Sequence, residues 1–278
     1  MKLVICEKPS VAKAVASALG VTSRVDGCFE GNGLIVSWCV GHLVSPMDAA
    51  GYDPGYKKWK YDDLPILPEP FRYVLAKGKE DAFQNLKRLM DREDVTELVN
   101  ACDAGREGEL IFRLVYEMAG CRKPFSRLWI SSMEDAAIRE GFQNLRPGAE
   151  YDPLYQSALC RQKADWLIGI NATRLFSVLY HRTLNVGRVQ TPTLAMLVDR
   201  DWKISSFKKE KYHHVRLALD GAEAVSEKIA APEEAEALRA ACTGAAVTCT
   251  TVTREQKKEN PPKLYDLTSL QREANRLF

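Results

Sequence analysis

The stretch TELVNACDAGREGELIF, residues 96–112, decides the fold. Residues 96–102 are a short apolar run of the kind that makes a buried strand. The chain then turns through Asp103-Ala104-Gly105-Arg106-Glu107-Gly108-Glu109 and enters a helical pattern over residues 109–119. In α/β proteins, ligands bind where a parallel strand ends and the following helix begins. The first residues, MKLVICEKPSVAKAVASALG, repeat the arrangement. Residues 2–6 are apolar, Glu7 and Lys8 follow, and a helical pattern opens at Pro9 and Ser10 and closes at Gly20, with proline in the first turn and glycine past the last. If the two strands are neighbours, Glu7 and Asp103 face each other beyond their ends.

Working outward, residues 24–30 and 34–40 read as a hairpin around Gly31-Asn32-Gly33,. Residues 49–70, rich in Pro, Gly and Tyr, read as a long ordered loop. Strands are expected at 71–76 and 128–131, and helices at 80–90 and 134–145. The first half therefore alternates strand and helix, which predicts an α/β domain on a largely parallel sheet. From residue 151 the pattern is helical, over 154–180 and 191–202. After residue 211 it changes again, to strands at 212–219 and 246–252 with a helix at 232–241 between them. Glu259-Asn260-Pro261-Pro262 reads as a linker, and a helix begins at Thr268 and meets the last residue, Phe278. The expected divisions are 1–150, 151–211, 212–260 and 261–278.

The acidic turn carries the chemistry. Asp103 and Glu107 are four apart and share a helical face. Like charges so placed repel unless a cation lies between them. Hard oxygen donors, few in number, at a helix start suit Mg²⁺, which keeps several waters and binds phosphate as well. The competing reading is an acidic first turn favoured by the helix dipole. Lys8 reads either as a surface lysine or as a positive charge aimed at a phosphate.

A net charge of +2 over 278 residues neither argues for nor excludes nucleic acid. Lys and Arg outnumber Asp and Glu within residues 151–215, as either a phosphate-facing wall or a solvated surface. The eight cysteines include no Cys-x-x-Cys pair, so neither a zinc site nor a disulfide framework is expected. They read as reduced core thiols of a cytosolic protein. No signal-peptide layout or membrane-length apolar run is present.

Six strings carry a resemblance to a family. ICEKPSVAKAVASAL, VGHL and ACDAGREGELIF resemble the TOPRIM domain of topoisomerases, primases and some nucleases. ALCRQKADWLIGINATRLFS resembles the helical segment that follows TOPRIM in type IA DNA topoisomerases, LNVGRVQTPTLAMLVDRD their GRVQ motif, and NPPKLYDLTSLQREANRLF the entry to their tyrosine-bearing domain. The matches run in family order along the whole chain and resemble most the topoisomerase III kind. The fold implied is a Rossmann-like TOPRIM domain, then part of a helical domain, then the start of a β-rich arch.

The resemblance implies metal ligands at Glu7, Asp103 and Glu107 for Mg²⁺, and a catalytic set of Glu7, Lys8, Asp103 and His42. Glu7 would assist proton transfer to the leaving 3′ oxygen, and Lys8 would contact the scissile phosphate. Gly105 departs from the family, which usually has a second aspartate there; whether Glu109 or a water compensates is open. Single-stranded DNA would be met by Arg161, Asp165 and Arg174, and by Asn185, Val186, Gly187, Arg188, Val189 and Gln190 of the GRVQ segment. The implied activity is ATP-independent cleavage and rejoining of single-stranded DNA through a 5′-phosphotyrosine, in the bacterial cytoplasm on nucleoid or plasmid, by a monomeric parent. The family's tyrosine sits in a Tyr-x-Arg-Thr motif downstream of the LQREANRLF-like helix. The expectation is that this motif does not occur in the chain: Tyr265 precedes that helix in a linker-like stretch and is rejected as nucleophile, and the other tyrosines are read as lacking the motif. The chain itself is therefore expected to bind Mg²⁺ and DNA without cutting. The rival readings are a metal-dependent TOPRIM nuclease or primase-like phosphotransferase, and a non-catalytic DNA-binding remnant.

Overall fold

The computed structural model describes residues 1–248 and 250–277, and it divides the chain into two units, residues 1–204 and residues 205–278. The first unit is built on a seven-stranded sheet. Its elements are β1 (Lys2–Cys6), α1 (Pro9–Ala18), β2 (Ser23–Val25), β3 (Cys28–Gly31), β4 (Leu34–Trp38), β5 (Val44–Pro46), α2 (Ala49–Tyr52), β6 (Tyr73–Leu75), α3 (Glu80–Asp91), β7 (Glu97–Ala101), α4 (Arg106–Met118), β8 (Phe125–Arg127), α5 (Asp135–Gln143), β9 (Arg146–Pro147), α6 (Asp152–Leu179) and α7 (Gln190–Ser205). The strand order is β2-β3-β4-β1-β7-β8-β9. The four central strands β4, β1, β7 and β8 are parallel, and antiparallel pairs close each edge.

Strand periodicity sorts the core into two layers. Leu3, Ile5, Ile35 and Leu98 pack with Phe83, Leu86, Leu89 and Met90 of α3, with Phe112 and Val115 of α4, and with Tyr155 and Ala158 of α6. Val4, Val36, Val99 and Ala101 pack on the opposite face with Ala12, Val15 and Ala16 of α1 and Ile138 of α5. Strands covered on both faces are continuously apolar, which is why residues 2–6 and 97–101 were recognisable as buried strands.

Three expectations need correcting. Residues 24–30 are not one strand: the chain folds back at Asp26-Gly27, where Gly27 takes φ +74, to pair β2 with β3. The following turn, Asn32 at φ 50 and Gly33 at φ 74, joins β3 to β4 as expected of a tight hairpin,. The strand expected at 128–131 lies three residues earlier, at β8; Leu128 turns under the sheet into the core. Residues 246–248 and 250–252 form no strand, and Cys249 lies outside the described residues. In the second unit β10 (Arg216–Leu219) pairs instead with β11 (Ala222–Val225) around Gly221, and α8 (Pro232–Cys242) and α9 (Leu267–Leu277) follow. The helix expected to reach Phe278 is described to Leu277; Phe278 itself lies outside the described residues.

The loop at 49–70 is ordered by α6. Trp166 meets Tyr52 and Phe71 edge-on. Asn171 clamps Ile66 from both sides: its Oδ1 accepts from Ile66 N at 2.6 Å and its Nδ2 donates to Ile66 O at 3.0 Å. Asn171→Ala leaves both backbone groups of a buried residue unpaired. The expected loss is about 1–3 kcal/mol, read as a lower thermal midpoint. Asn171→Asp keeps the acceptor, turns the donor into a repelling oxygen, and should be no better.

Candidate active site at the carboxyl edge of the sheet

β1 and β7 are adjacent and in register, Cys6 beside Ala101, so the residues that leave them, Glu7 and Asp103, emerge side by side. Lys8 lies between them. Its Nζ is 3.6 Å from Glu7 Oε1 and 3.6 Å from Asp103 Oδ2. On the other side of β1, β4 leads to His42 through Gly41, whose N–H donates to Glu7 O at 3.3 Å.

Glu107 does not join that pair directly. His42 Nε2 is 3.4 Å from its Oε2 and Arg161 Nη1 is 3.8 Å from its Oε1. Arg161 also reaches Asp165 at 3.8 Å, and Asp165 in turn binds Arg188. Arg188 holds the Asp165 carboxyl below the usual carboxylate range. A small cavity of about 210 Å³ opens among His42, Ser45, Glu107, Arg161, Gln162 and Asp165. The site is therefore two linked groups of charges, each acid already facing a cation of the protein.

Among the described residues no three His, Cys, Asp or Glu side chains are close enough together to hold a metal ion. The expected convergence of Glu7, Asp103 and Glu107 is thus realised for the first two only. The donor set nonetheless fits a hard divalent cation. The ligands are carboxylate oxygens, and the Lys8 ammonium already stands as a cation between two of them.

The structure answers the question of Glu109. It is fully buried, with Asn100 Nδ2 at 2.9 Å, Arg113 Nε at 2.9 Å and Arg127 Nε at 3.1 Å from its oxygens. The Arg127 contact lies off the N–H axis and is Coulombic rather than a hydrogen bond. Glu109 is an anchor and cannot stand in for a ligand at position 105. Arg127, also fully buried, donates to the carbonyls of Asn100, Cys102, Leu128 and Asp103, the last at 2.7 Å. Burial pulls its guanidinium down from the usual arginine range. Asn100, Arg113 and Arg127 were not singled out in the sequence. The Glu109–Arg113 spacing of four was a visible signal; an arginine in a three-residue strand gives none.

Two glycines in the turn differ. Gly105 is extended, at φ 176, and a Cβ there would meet nothing within 4 Å. Gly108 brings α4 against the Asp103 backbone: a Cβ would lie 2.1 Å from Asp103 O. The thiols beneath the acids are unreactive. Cys6 and Cys102 are buried free thiols; burial pushes the Cys6 thiol up, and a hydrogen bond with the Cys39 thiol together with burial does the same for Cys102,.

Of the expected DNA contacts, Arg161, Asp165 and Arg188 gather beside Glu107. The GRVQ segment is tied to α6 by Val186 N, which donates to Thr173 Oγ1 at 2.9 Å, and to the start of α7 by Gly187 N, which donates to Thr191 Oγ1 at 3.1 Å. Asn185, Arg188, Val189 and Gln190 are exposed, and Val186 and Gly187 half-buried. Arg174 does not face solvent. It is 3% exposed, donates to Tyr56 O at 2.7 Å and lies 5.4 Å from the Trp59 ring. It holds the 56–59 turn.

Comparison with known proteins matches this arrangement. A Toprim domain model covers residues 2–133 and a DNA topoisomerase model covers residues 149–278. The chain belongs to the type IA DNA topoisomerase family. It is 42% identical over 285 residues to DNA topoisomerase 3 of Shouchella clausii and 42% identical over 283 residues to that of Bacillus subtilis. It covers 100% and 99% of its own length in these matches and 39% of each relative. Full-length topoisomerase I from Thermotoga maritima superposes with a TM-score of 0.58 at 25% identity, over 85% of this chain and 37% of that one. Toprim domains bind a divalent metal, and type IA topoisomerases act on single-stranded DNA. Among the described residues, no helix is long and apolar enough to cross a membrane.

The family's tyrosine motif needs one correction. The expectation that no Tyr-x-Arg-Thr motif occurs is wrong: Tyr180-His181-Arg182-Thr183 has that form. It lies upstream of the LQREANRLF helix, at the end of α6. Tyr180 is 63% exposed and stacks on Phe176. It follows Arg161 along one helix by 19 residues, about 28 Å at 1.5 Å per residue, far from Glu7 and Asp103.

Proposed function

We propose that this chain supplies the Mg²⁺ and single-strand-binding part of a type IA topoisomerase reaction, in which DNA is cut and rejoined through a 5′-phosphotyrosine. The observation that carries the reading is Lys8 set between Glu7 and Asp103 at the ends of two adjacent parallel strands. In this reading residues 1–150 form the metal-binding domain and 151–211 part of a DNA-facing helical domain. Residues 212–260 begin an arch, and 261–278 begin the tyrosine-bearing domain. The setting is the bacterial cytoplasm, on nucleoid or plasmid.

Bound Mg²⁺ would supply positive charge at the phosphodiester, held by Glu7 and Asp103, with Glu107 joining once it leaves His42 and Arg161. Lys8 would present its ammonium to a phosphate oxygen. Glu7, whose side chain is 15% exposed, would pass a proton to the leaving 3′ oxygen from a partly dry position. His42 and Arg161 would position Glu107. Arg188 and Gln190, on the exposed GRVQ segment, would take backbone phosphate and base edge.

The test uses the 278-residue chain. A labelled single-stranded oligonucleotide should bind weakly by fluorescence anisotropy, and more tightly with Mg²⁺. Supercoiled plasmid should stay unrelaxed, because Tyr180, whose surrounding sequence has the family's motif form, lies far along α6 from the acids. Relaxation, or Mg²⁺-dependent nicking, would defeat the reading; nicking would favour the nuclease instead. Arg188→Ala should lower the slope of log affinity against log salt by about 0.7, the value for one single-strand phosphate contact.

A further inference from the structure

We propose that Lys8 and the divalent metal exchange places: metal binding between Glu7 and Asp103 expels the Lys8 ammonium, and the freed ammonium takes a DNA phosphate. Metal and DNA then bind with positive cooperativity through one side chain. The inference rests on the functional reading above, that this edge holds a divalent cation and a phosphodiester.

The geometry is that of a placeholder. Charge-assisted hydrogen bonds run at about 2.7–2.9 Å. Lys8 Nζ instead stands 3.6 Å from each carboxylate, with its side chain 52% exposed. It is shared by charge, not fixed by directed bonds, and such contacts exchange at low cost. Its backbone is fixed. Lys8 caps α1 in an extended conformation, with Pro9 next in the chain, and its carbonyl accepts from Ala12 N at 3.0 Å. Only the side chain can leave. Glu107 is engaged by His42 and Arg161, so Glu7 and Asp103 have Lys8 as their shared counter-ion.

Charge sets the direction. Two carboxylates and one ammonium leave a single negative charge over. A divalent cation in the same place neutralises both carboxylates, and the displaced ammonium then lacks a partner beside the spot where a phosphodiester, also singly charged, would lie. Each ligand therefore favours the other, and linkage requires the coupling to be equal in both directions.

The experiment measures Mn²⁺ binding by electron paramagnetic resonance of the free ion, with and without oligothymidylate, and with DNA alone as background. The proteins are wild type, Lys8→Met, Lys8→Arg, Lys79→Met and the double variant Glu7→Gln/Asp103→Asn. Lys79 is the charge control: it bonds Val40 O, near the same edge, and touches no carboxylate of the site. Lys8→Met should bind Mn²⁺ roughly threefold to tenfold more tightly than wild type, with Lys8→Arg close to wild type and Lys79→Met within about twofold of it. Oligothymidylate should tighten Mn²⁺ binding to wild type and leave Lys8→Met unchanged. Equal affinity in wild type and Lys8→Met overturns the exchange, as does equal tightening by Lys79→Met, because removal of a nearby charge would then suffice. Mn²⁺ binding that is absent from wild type, or indifferent to Glu7→Gln/Asp103→Asn, overturns the metal site itself and is distinguishable from those results.

Discussion

Arg127→Met is expected to cost about 3–5 kcal/mol, because it strands a buried carboxylate. Glu109 has no exposure to water. Without Arg127 it keeps Arg113 and Asn100 but loses the guanidinium that faces its other side. The same substitution takes the Arg127 donors from the carbonyls of Cys102, Leu128 and Asp103, while that of Asn100 keeps the Leu128 N–H. The Asp103 turn should loosen with the fall in stability. Equilibrium urea denaturation gives the size of the effect. Glu109→Leu/Arg127→Met removes both charges and should recover part of the loss, since a buried pair replaced by apolar groups of similar volume is often neutral. A cost below about 1 kcal/mol for the single variant would mean that water already reaches Glu109.

The second large effect is a contrast between two glycines three residues apart. Gly108→Ala places a methyl 2.1 Å from Asp103 O and 2.8 Å from Asp103 N. Backbone cannot rotate away as a side chain can, so α4 or the Asp103 turn must shift. Overpacking costs about 1–3 kcal/mol in ordinary cores, and the loss here should lie at or above the top of that range. Metal affinity should fall with it. Gly105→Ala meets nothing and demands no left-handed backbone. It should leave the stability within about 1 kcal/mol of wild type, or raise it slightly by restricting the unfolded chain. Gly105→Asp is equally free of clash and should tighten divalent binding by adding a carboxylate near Asp103. Equal thermal midpoints for Gly105→Ala and Gly108→Ala would show that the helix start is softer than its packing suggests.

Much of the sheet was legible because burial on both faces writes itself as uninterrupted apolar runs, as at 2–6 and 97–101. Edges were less so. The Asp26-Gly27 reversal lies inside a run whose residues alternate well enough to pass for one strand, although that dipeptide is a hairpin signal. β8 was displaced because Leu128 and Ile130 look like strand residues, while the paired backbone is at Phe125–Arg127. In the site, the positions of Glu7 and Asp103 followed from strand ends alone. The division of labour among the acids did not. Glu107 and Glu109 are two apart in sequence, and only the fold turns one toward His42 and Arg161 and the other into the core. Arg174 illustrates the opposite difficulty. An arginine in a basic helical segment reads as a phosphate contact, yet its partner, the carbonyl of Tyr56, is 118 residues away.

The buried charges also bear on where the molecule could come apart. Arg127 grips the Asp103 carbonyl and faces Glu109; Glu109 binds Arg113; Arg113 reaches Gly148 O at 2.8 Å and Asp152, the first residue of α6, at 2.7 Å. The boundary between the two matched family segments, after residue 133, is thus crossed by a rigid tether rather than a swivel. A Toprim piece excised there would forfeit α5, β9, the Tyr155 and Ala158 portion of its core, and the Gly148 and Asp152 partners of Arg113, leaving it only Glu109. A tilt of α6 would be transmitted through these bonds to the turn that carries Asp103.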